Sequence, residues 1–180
     1  MNRTTDVRES KRQATAYHEV GHAVAALHEK MRIRSATVIP SRGFSGQVSH
    51  ESPLSGIRLD IGETDRAKIR AQRLIVIALA GPAAQKRFNP GSLRSYHGES
   101  DHEIAVDLAT RLNSSEKSTD AYLKWLSIVA DDRVSASWRQ IEAVAKALLV
   151  RGTLSKSEIF AAIRADRPHG RRPPRPANEE

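Results

Sequence analysis

Two histidines four residues apart, in His18-Glu19-Val20-Gly21-His22, sit inside an apolar pattern that fits one kind of local structure. Tyr17, Val20, Val24, Leu27 and Met31 recur at steps of three and four, the period of a helix with one buried face. The pattern predicts a helix over about residues 10–30. Composition narrows what can pack against it. Of the 180 residues 39% are hydrophobic but only 4% aromatic, so the core must be mostly Ala, Ile, Leu and Val, which suits closely packed helices. Cysteine is absent. That excludes disulfide scaffolds, thiolate-bound zinc or iron–sulfur sites and thiol catalysis, and leaves His and carboxylates as metal ligands.

The rest of the chain reads as further helices and a small sheet. Residues 33–39 read as a strand closed by Pro40, residues 41–46 as a turn, and Gln47-Val48-Ser49-His50 as a second short strand. Residues 51–63 read as loop. A second long helix is expected from Thr64 through the apolar run 74–80, interrupted at Gly81-Pro82 and stopped by Asn89-Pro90-Gly91. Ser100 with Glu103 reads as a capping box opening a third helix, in which hydroxyl and carboxylate each take a backbone N–H of the other residue. Residues 118–130 form a fourth helix. Val134, Trp138, Ile141, Ala145 and Leu148 mark a fifth, ended by Gly152. Ser155 with Glu158 forms a second capping box before Ile159, Phe160 and Ile163. The fold class is mainly α (α+β).

On a helix, residues four apart share a face, so His18 and His22 can reach one metal ion with Glu19 beside them. Zinc accepts such a donor set and lowers the pKa of a bound water to about 7. A carboxylate placed like Glu19 can then serve as the general base. The third ligand is less defined. His28 stands ten residues after His18, the offset of the third histidine in metzincins, but those proteins break the helix with Gly where this chain has Ala25. On a continuous helix His28 points about 120° away from His22 and lies roughly 9 Å along the axis. The remaining candidates are His50, His97, Glu99, Asp101, His102 and Glu103. Asp101 falls in the first turn of the third helix, where the dipole and free N–H groups favour an ionised carboxylate.

At this point the sequence resembles the peptidase domain of FtsH-type ATP-dependent zinc proteases. Ala16-Tyr17-His18-Glu19-Val20-Gly21-His22-Ala23-Val24 is similar to its opening motif. Ala36-Thr37-Val38-Ile39-Pro40-Ser41-Arg42-Gly43 resembles its strand and turn, and Leu79-Ala80-Gly81-Pro82-Ala83-Ala84 its Gly-Gly-Arg-Ala-Ala segment. Ser100-Asp101 with Ala105-Val106-Asp107-Leu108-Ala109 resembles its Asn-Asp…Ala-Thr-Asp-Leu-Ala stretch. Ala147-Leu148-Leu149, Thr153-Leu154-Ser155 and Glu158-Ile159 are similar to its last helices. The likeness spans about residues 14–163.

The resemblance implies a helical zincin-like metallopeptidase domain with a small β-sheet. It implies one zinc per chain held by His18, His22 and Asp101, with Glu19 as the catalytic base. It implies that Gln85, where the family usually has Glu, supports a zinc-bound histidine. Substrate would lie extended along an edge strand at Gly46, Gln47, Val48, Ser49 and His50, read through its backbone. The family's ATPase and membrane segments have no counterpart here, and no G-x-x-x-x-G-K phosphate loop occurs in the sequence. The family forms hexameric rings; Lys86 and Arg87 stand where it has acidic or apolar residues, so a homo-oligomer is compatible with this chain but not tied to that ring.

The expected function is therefore an ATP-independent zinc metalloendopeptidase acting on unfolded or extended polypeptides. The alternatives are a catalytically degenerate FtsH-like metal-binding adaptor and a metallopeptidase that cleaves a regulatory protein. The formal charge of +8 (29 basic, 21 acidic residues) can draw in acidic partners. The basic residues are not interleaved with aromatics and no helix-turn-helix signal occurs, which argues against nucleic acid. The longest apolar stretch, 74–84, is too short to span a bilayer. The first residues lack the apolar core of a signal peptide, so the expected location is cytoplasmic.

Three segments follow: an N-terminal arm (1–13), the peptidase domain (14–165) and a basic tail rich in Pro and Arg (166–180), expected to be disordered. Deletion of the chain after Arg167 is expected to leave the melting temperature unchanged. The segment has too few apolar residues to offset its ordering entropy. A large drop in a thermal melt would contradict it.

Overall fold

The computed structural model describes residues 3–39, 47–50, 64–92 and 99–166. In chain order these form helix α1 (Arg3–His28), strands β1 (Ile33–Thr37) and β2 (Gln47–His50), and helix α2 (Asp65–Phe88) with a 3-10 turn at Pro90–Ser92. Then come α3 (Glu99–Leu112), α4 (Glu116–Ala136), α5 (Trp138–Arg151), strand β3 (Thr153–Ser155) and α6 (Lys156–Ala165). The mainly helical class with a small antiparallel sheet agrees with the sequence reading. Residues 167–180 of the expected tail, like Gly46, His97 and the expected loop 51–63, lie outside the described residues.

Helix α2 is the centre of the molecule. Ile77, Ala80 and Ala84 join a core made with Val20 and Val24 of α1, Ala36 of β1, Ile141 and Leu148 of α5, Leu154 of β3 and Ile159 of α6. Its other faces, through Ala71, Leu74, Ile75 and Ala78, join Ala105 and Leu108 of α3 and Leu126 and Ala130 of α4. Burial on both sides explains why the run 74–84 is apolar around its whole circumference.

Three expectations are corrected here. The first helix begins at Arg3 rather than near residue 10, so most of the expected N-terminal arm continues the motif helix. Arg12 ties it down by donating from Nη2 to the Leu149 carbonyl at 2.6 Å. Gly81-Pro82 does not interrupt α2, which runs through both residues. An internal proline costs a helix about 3 kcal/mol by removing one N–H donor. Packing on α1 along the same stretch outweighs that. Ser100 is not the cap of α3 but lies inside it, because the helix already starts at Glu99.

Other local signals act as read. Ser155 and Glu158 form the capping box of α6. Gly152 ends α5 with φ 76°, where its N–H reaches the Leu148 carbonyl at 2.8 Å. β1 is the middle strand, paired antiparallel with β2 (Ala36 opposite Val48) and with β3 (Ala36 opposite Leu154). β3 has only three residues and no strand pattern of its own. Among the described residues β2 has a strand on one side only, and it contacts α1.

The two central helices touch through glycine. A Cβ added at Gly21 would lie 2.6 Å from the Ala80 carbonyl oxygen and 2.7 Å from Ala84 Cβ. One added at Gly81 would fall on the His22 ring. Gly21→Ala is therefore expected to destabilise the protein by about 1–3 kcal/mol, the range for overpacking a close contact. It should lower the melting temperature by several degrees, although Ala is the better helix former. An unchanged or raised melting temperature would show that the helices can part without cost.

Candidate metal centre

The site is built by three helices that the core fixes independently. α1 presents His18 and His22 one turn apart, α2 lies against them, and α3 brings the first-turn carboxylate of Asp101. The contacts set the helix directions: His22 meets residues 77 and 81 while His18 meets residue 85, so α1 and α2 run antiparallel.

Each imidazole is held by its Nδ1. His18 Nδ1 donates to Gln85 Oε1 at 2.9 Å, and His22 Nδ1 donates to the Ile77 carbonyl at 2.8 Å. The Gln85 amide is itself oriented, because its Nε2 donates to the Ser92 carbonyl at 3.1 Å and to Ser92 Oγ at 3.3 Å. That leaves Oε1 to face His18. Ser92 is fixed in turn by donating to the Asn89 carbonyl at 2.7 Å. Asn89-Pro90-Gly91, read from sequence only as a helix stop, thus shapes the turn behind the site.

With both Nδ1 atoms engaged, the two Nε2 atoms face the same point. They lie 3.1 Å apart, and Asp101 Oδ2 stands 3.0 Å from His18 Nε2 and 3.3 Å from His22 Nε2. These three residues form a group able to hold a metal ion. A tetrahedral zinc with bonds of 2.0–2.1 Å has ligand atoms about 3.3 Å apart. The observed triangle is close to one face of that tetrahedron, and the donor set of two neutral imidazoles and a carboxylate suits the ion. The two histidines also carry the hydrogen bonds behind the ring that metal-ligating histidines need.

Electrostatics reflects this crowding. Burial opposes a charge on His22, but Asp101, Glu19 and the Ile77 carbonyl together outweigh it and raise its pKa to about 9. Burial likewise pushes Asp101 up, and His22 and His18 bring it well below the usual carboxylate range. Glu19 is only 8% exposed, one of few buried polar side chains among the described residues, as is Gln85.

Among the other sequence candidates, His28, His102 and Glu103 lie elsewhere. His28, at the end of α1, bonds through Nε2 to Gln140 Oε1 at 3.2 Å and Ser137 Oγ at 3.1 Å, and so ties α1 to the start of α5. His102 and Glu103 are exposed on α3. His50 belongs to β2 and Glu99 opens α3. Sequence reasoning missed the Ile77 carbonyl and Ser92. A backbone acceptor has no residue signature.

Compared with protein-family models and with curated proteins, the chain shows no match to either.

The pKa directions give a test on chelator-treated protein. The raised His22 pKa contributes stability that is complete below its ordinary 6.5 and is lost as pH rises through about 9. The lowered Asp101 pKa contributes stability present above its ordinary 3.8 and lost as pH falls below it. Melting temperature should therefore plateau between those ordinary values and fall on both sides, and Asp101→Ala should flatten the alkaline fall. An alkaline limb identical in wild type and Asp101→Ala would show that the pair contributes nothing.

Proposed function

We propose that this chain is a zinc metalloendopeptidase of helical zincin-like type, similar to the FtsH-type peptidase domain, that cleaves unstructured or extended polypeptides without ATP. The observation that carries the reading is the convergence of His18 Nε2, His22 Nε2 and Asp101 Oδ2 beside a buried Glu19. Such a cluster is costly as mere structure, because buried polar groups rarely add stability over apolar ones.

His18, His22 and Asp101 would hold the zinc, which when bound acidifies water and polarises a carbonyl oxygen. Glu19 neighbours His18 on α1, and its charge adds to that of Asp101 in raising the His22 pKa. Its role is to take the proton of the attacking water and return it to the departing amine. Gln85 keeps His18 in the tautomer whose Nε2 faces the site, and the Ile77 carbonyl does the same for His22. The side of β2 that pairs with no strand among the described residues is the surface for an extended substrate, paired through its backbone with little regard for sequence. A folded domain can present such a strand only by opening locally. No helix among the described residues is long and apolar enough to cross a membrane, and a cytoplasmic location is part of the proposal.

The test separates binding from chemistry. Wild type should hold about one zinc per chain and cleave casein with no ATP. Glu19→Gln should keep the zinc and lose roughly 10²–10⁴-fold in rate, the usual worth of a general base. His22→Ala and Asp101→Ala should lose both metal and activity, whereas His28→Ala should lose neither. Wild-type rates from Glu19→Gln would defeat the reading. Zinc without cleavage by any variant would favour the adaptor.

A further inference from the structure

A second surface is organised for binding at the other end of the sheet. Arg34 of β1, Ser155 of β3, and Lys156, Ser157, Phe160 and Arg164 of α6 line an open cavity of about 530 Å³. Arg34 is exposed where the pairing register of β1 shifts between Ile33 and Ser35, with Ile33 and Ala36 buried on either side of the irregularity. On α6, Ile159 is the buried anchor, which turns Phe160 outward at 37% exposure. Lys156 holds its ammonium over the Phe160 ring, 5.9 Å from the centroid. Arg34, Lys156 and Arg164 make no ion pair among the described residues. The nearby Arg151 is different, being paired with Glu158.

Three cations with no ion-pair partner among the described residues, set around an exposed aromatic ring, call for a ligand that carries both negative charge and apolar surface. The start of α6 is not arranged for a phosphate. A compact phosphate needs converging backbone N–H donors. Here Ser155 Oγ takes the Glu158 N–H and the Glu158 carboxylate takes the Ser155 N–H at 2.8 Å. Glu158 also places a negative charge at the end of the helix where a phosphate would sit. The cations instead stand on long stems around a carbon floor, an arrangement for separate single charges with an apolar side chain between them.

We infer that the cavity between β1 and α6 binds an acidic segment of polypeptide, with Arg34, Lys156 and Arg164 pairing its carboxylates and Phe160 seating an apolar side chain. The site lies on the β3 side of the sheet, opposite the β2 edge, so it can hold one part of a chain while leaving that edge open. The inference goes beyond the peptidase reading and stands without it, since binding needs neither metal nor Glu19.

The probe is a fluorescent peptide of alternating Glu and Leu, titrated into the full chain with polarisation as readout. It should bind, weaken as salt rises, and weaken roughly tenfold or more in Arg34→Glu combined with Lys156→Glu. Phe160→Ala should also weaken it, with the fold checked by circular dichroism. The pair Lys124→Glu with Lys146→Glu changes net charge equally at exposed lysines elsewhere and should bind like wild type. Equal loss in that control, or no loss in the Arg34/Lys156 pair, overturns the inference. So does a single-stranded oligonucleotide that displaces the peptide at lower concentration. Failure of casein cleavage with the peptide still bound would count against the peptidase alone.

Discussion

The close approach of α1 and α2 at two glycines governs the rest of this structure. Gly21 lets the backbone of α1 rest on the Ala80 carbonyl and Ala84, and Gly81 gives the His22 ring its space. Side chains at either position would force the helices apart and take His22 from the Ile77 carbonyl and His18 from Gln85. The same contact therefore sets core density and imidazole orientation. It also accounts for Pro82. A residue that weakens its own helix persists where that helix is held by close packing on its neighbour.

Asp101 reaches the site by a separate route. α3 attaches to α2 and α4 through Ala105, Leu108 and Ala109, in a core distinct from the one that fixes α1. The third donor is thus carried by an element that touches neither histidine except through its first turn. Two clusters meeting at α2 hold the three donor atoms within 3.3 Å of one another. Precision at the centre comes from α2 being rigid on both faces.

Much of this was legible in the chain. The motif helix, the α6 capping box and the Gly152 stop rest on local chemistry, which sequence carries directly. His18 and His22 follow from helical spacing alone. Asp101 does not: spacing left it among His50, His97, Glu99, His102 and Glu103, and only the resemblance singled it out. The choice depends on how α3 docks on α2, a tertiary fact. Gln85 likewise came from resemblance, while Ser92 and the Ile77 carbonyl came from neither. β3 escaped because its three residues are extended only through pairing with Ser35, Ala36 and Thr37. Ser100 misled because a capping pair describes a local option, and here the helix starts one residue earlier.

These groups sit close together in a part of the protein that is mostly shielded from water, so their charges must be counted together. Counted as carboxylates, Glu19 and Asp101 contribute −2, and a protonated His22 with its pKa near 9 returns +1, so without metal the cluster carries −1. A divalent ion that displaces the His22 proton brings the sum to −2 + 2 = 0. Uncompensated charge in a low-dielectric site is costly. One further proton would neutralise the cluster as well as a dication would, so metal binding here would compete with protons and strengthen as the pH rises. Gln85 fits this count. A glutamate there would restore a net −1 with the ion in place, whereas the amide orients His18 through the same hydrogen bond and adds no charge. Orientation by neutral partners and compensation by two carboxylates are separate tasks in this centre, and different residues carry them.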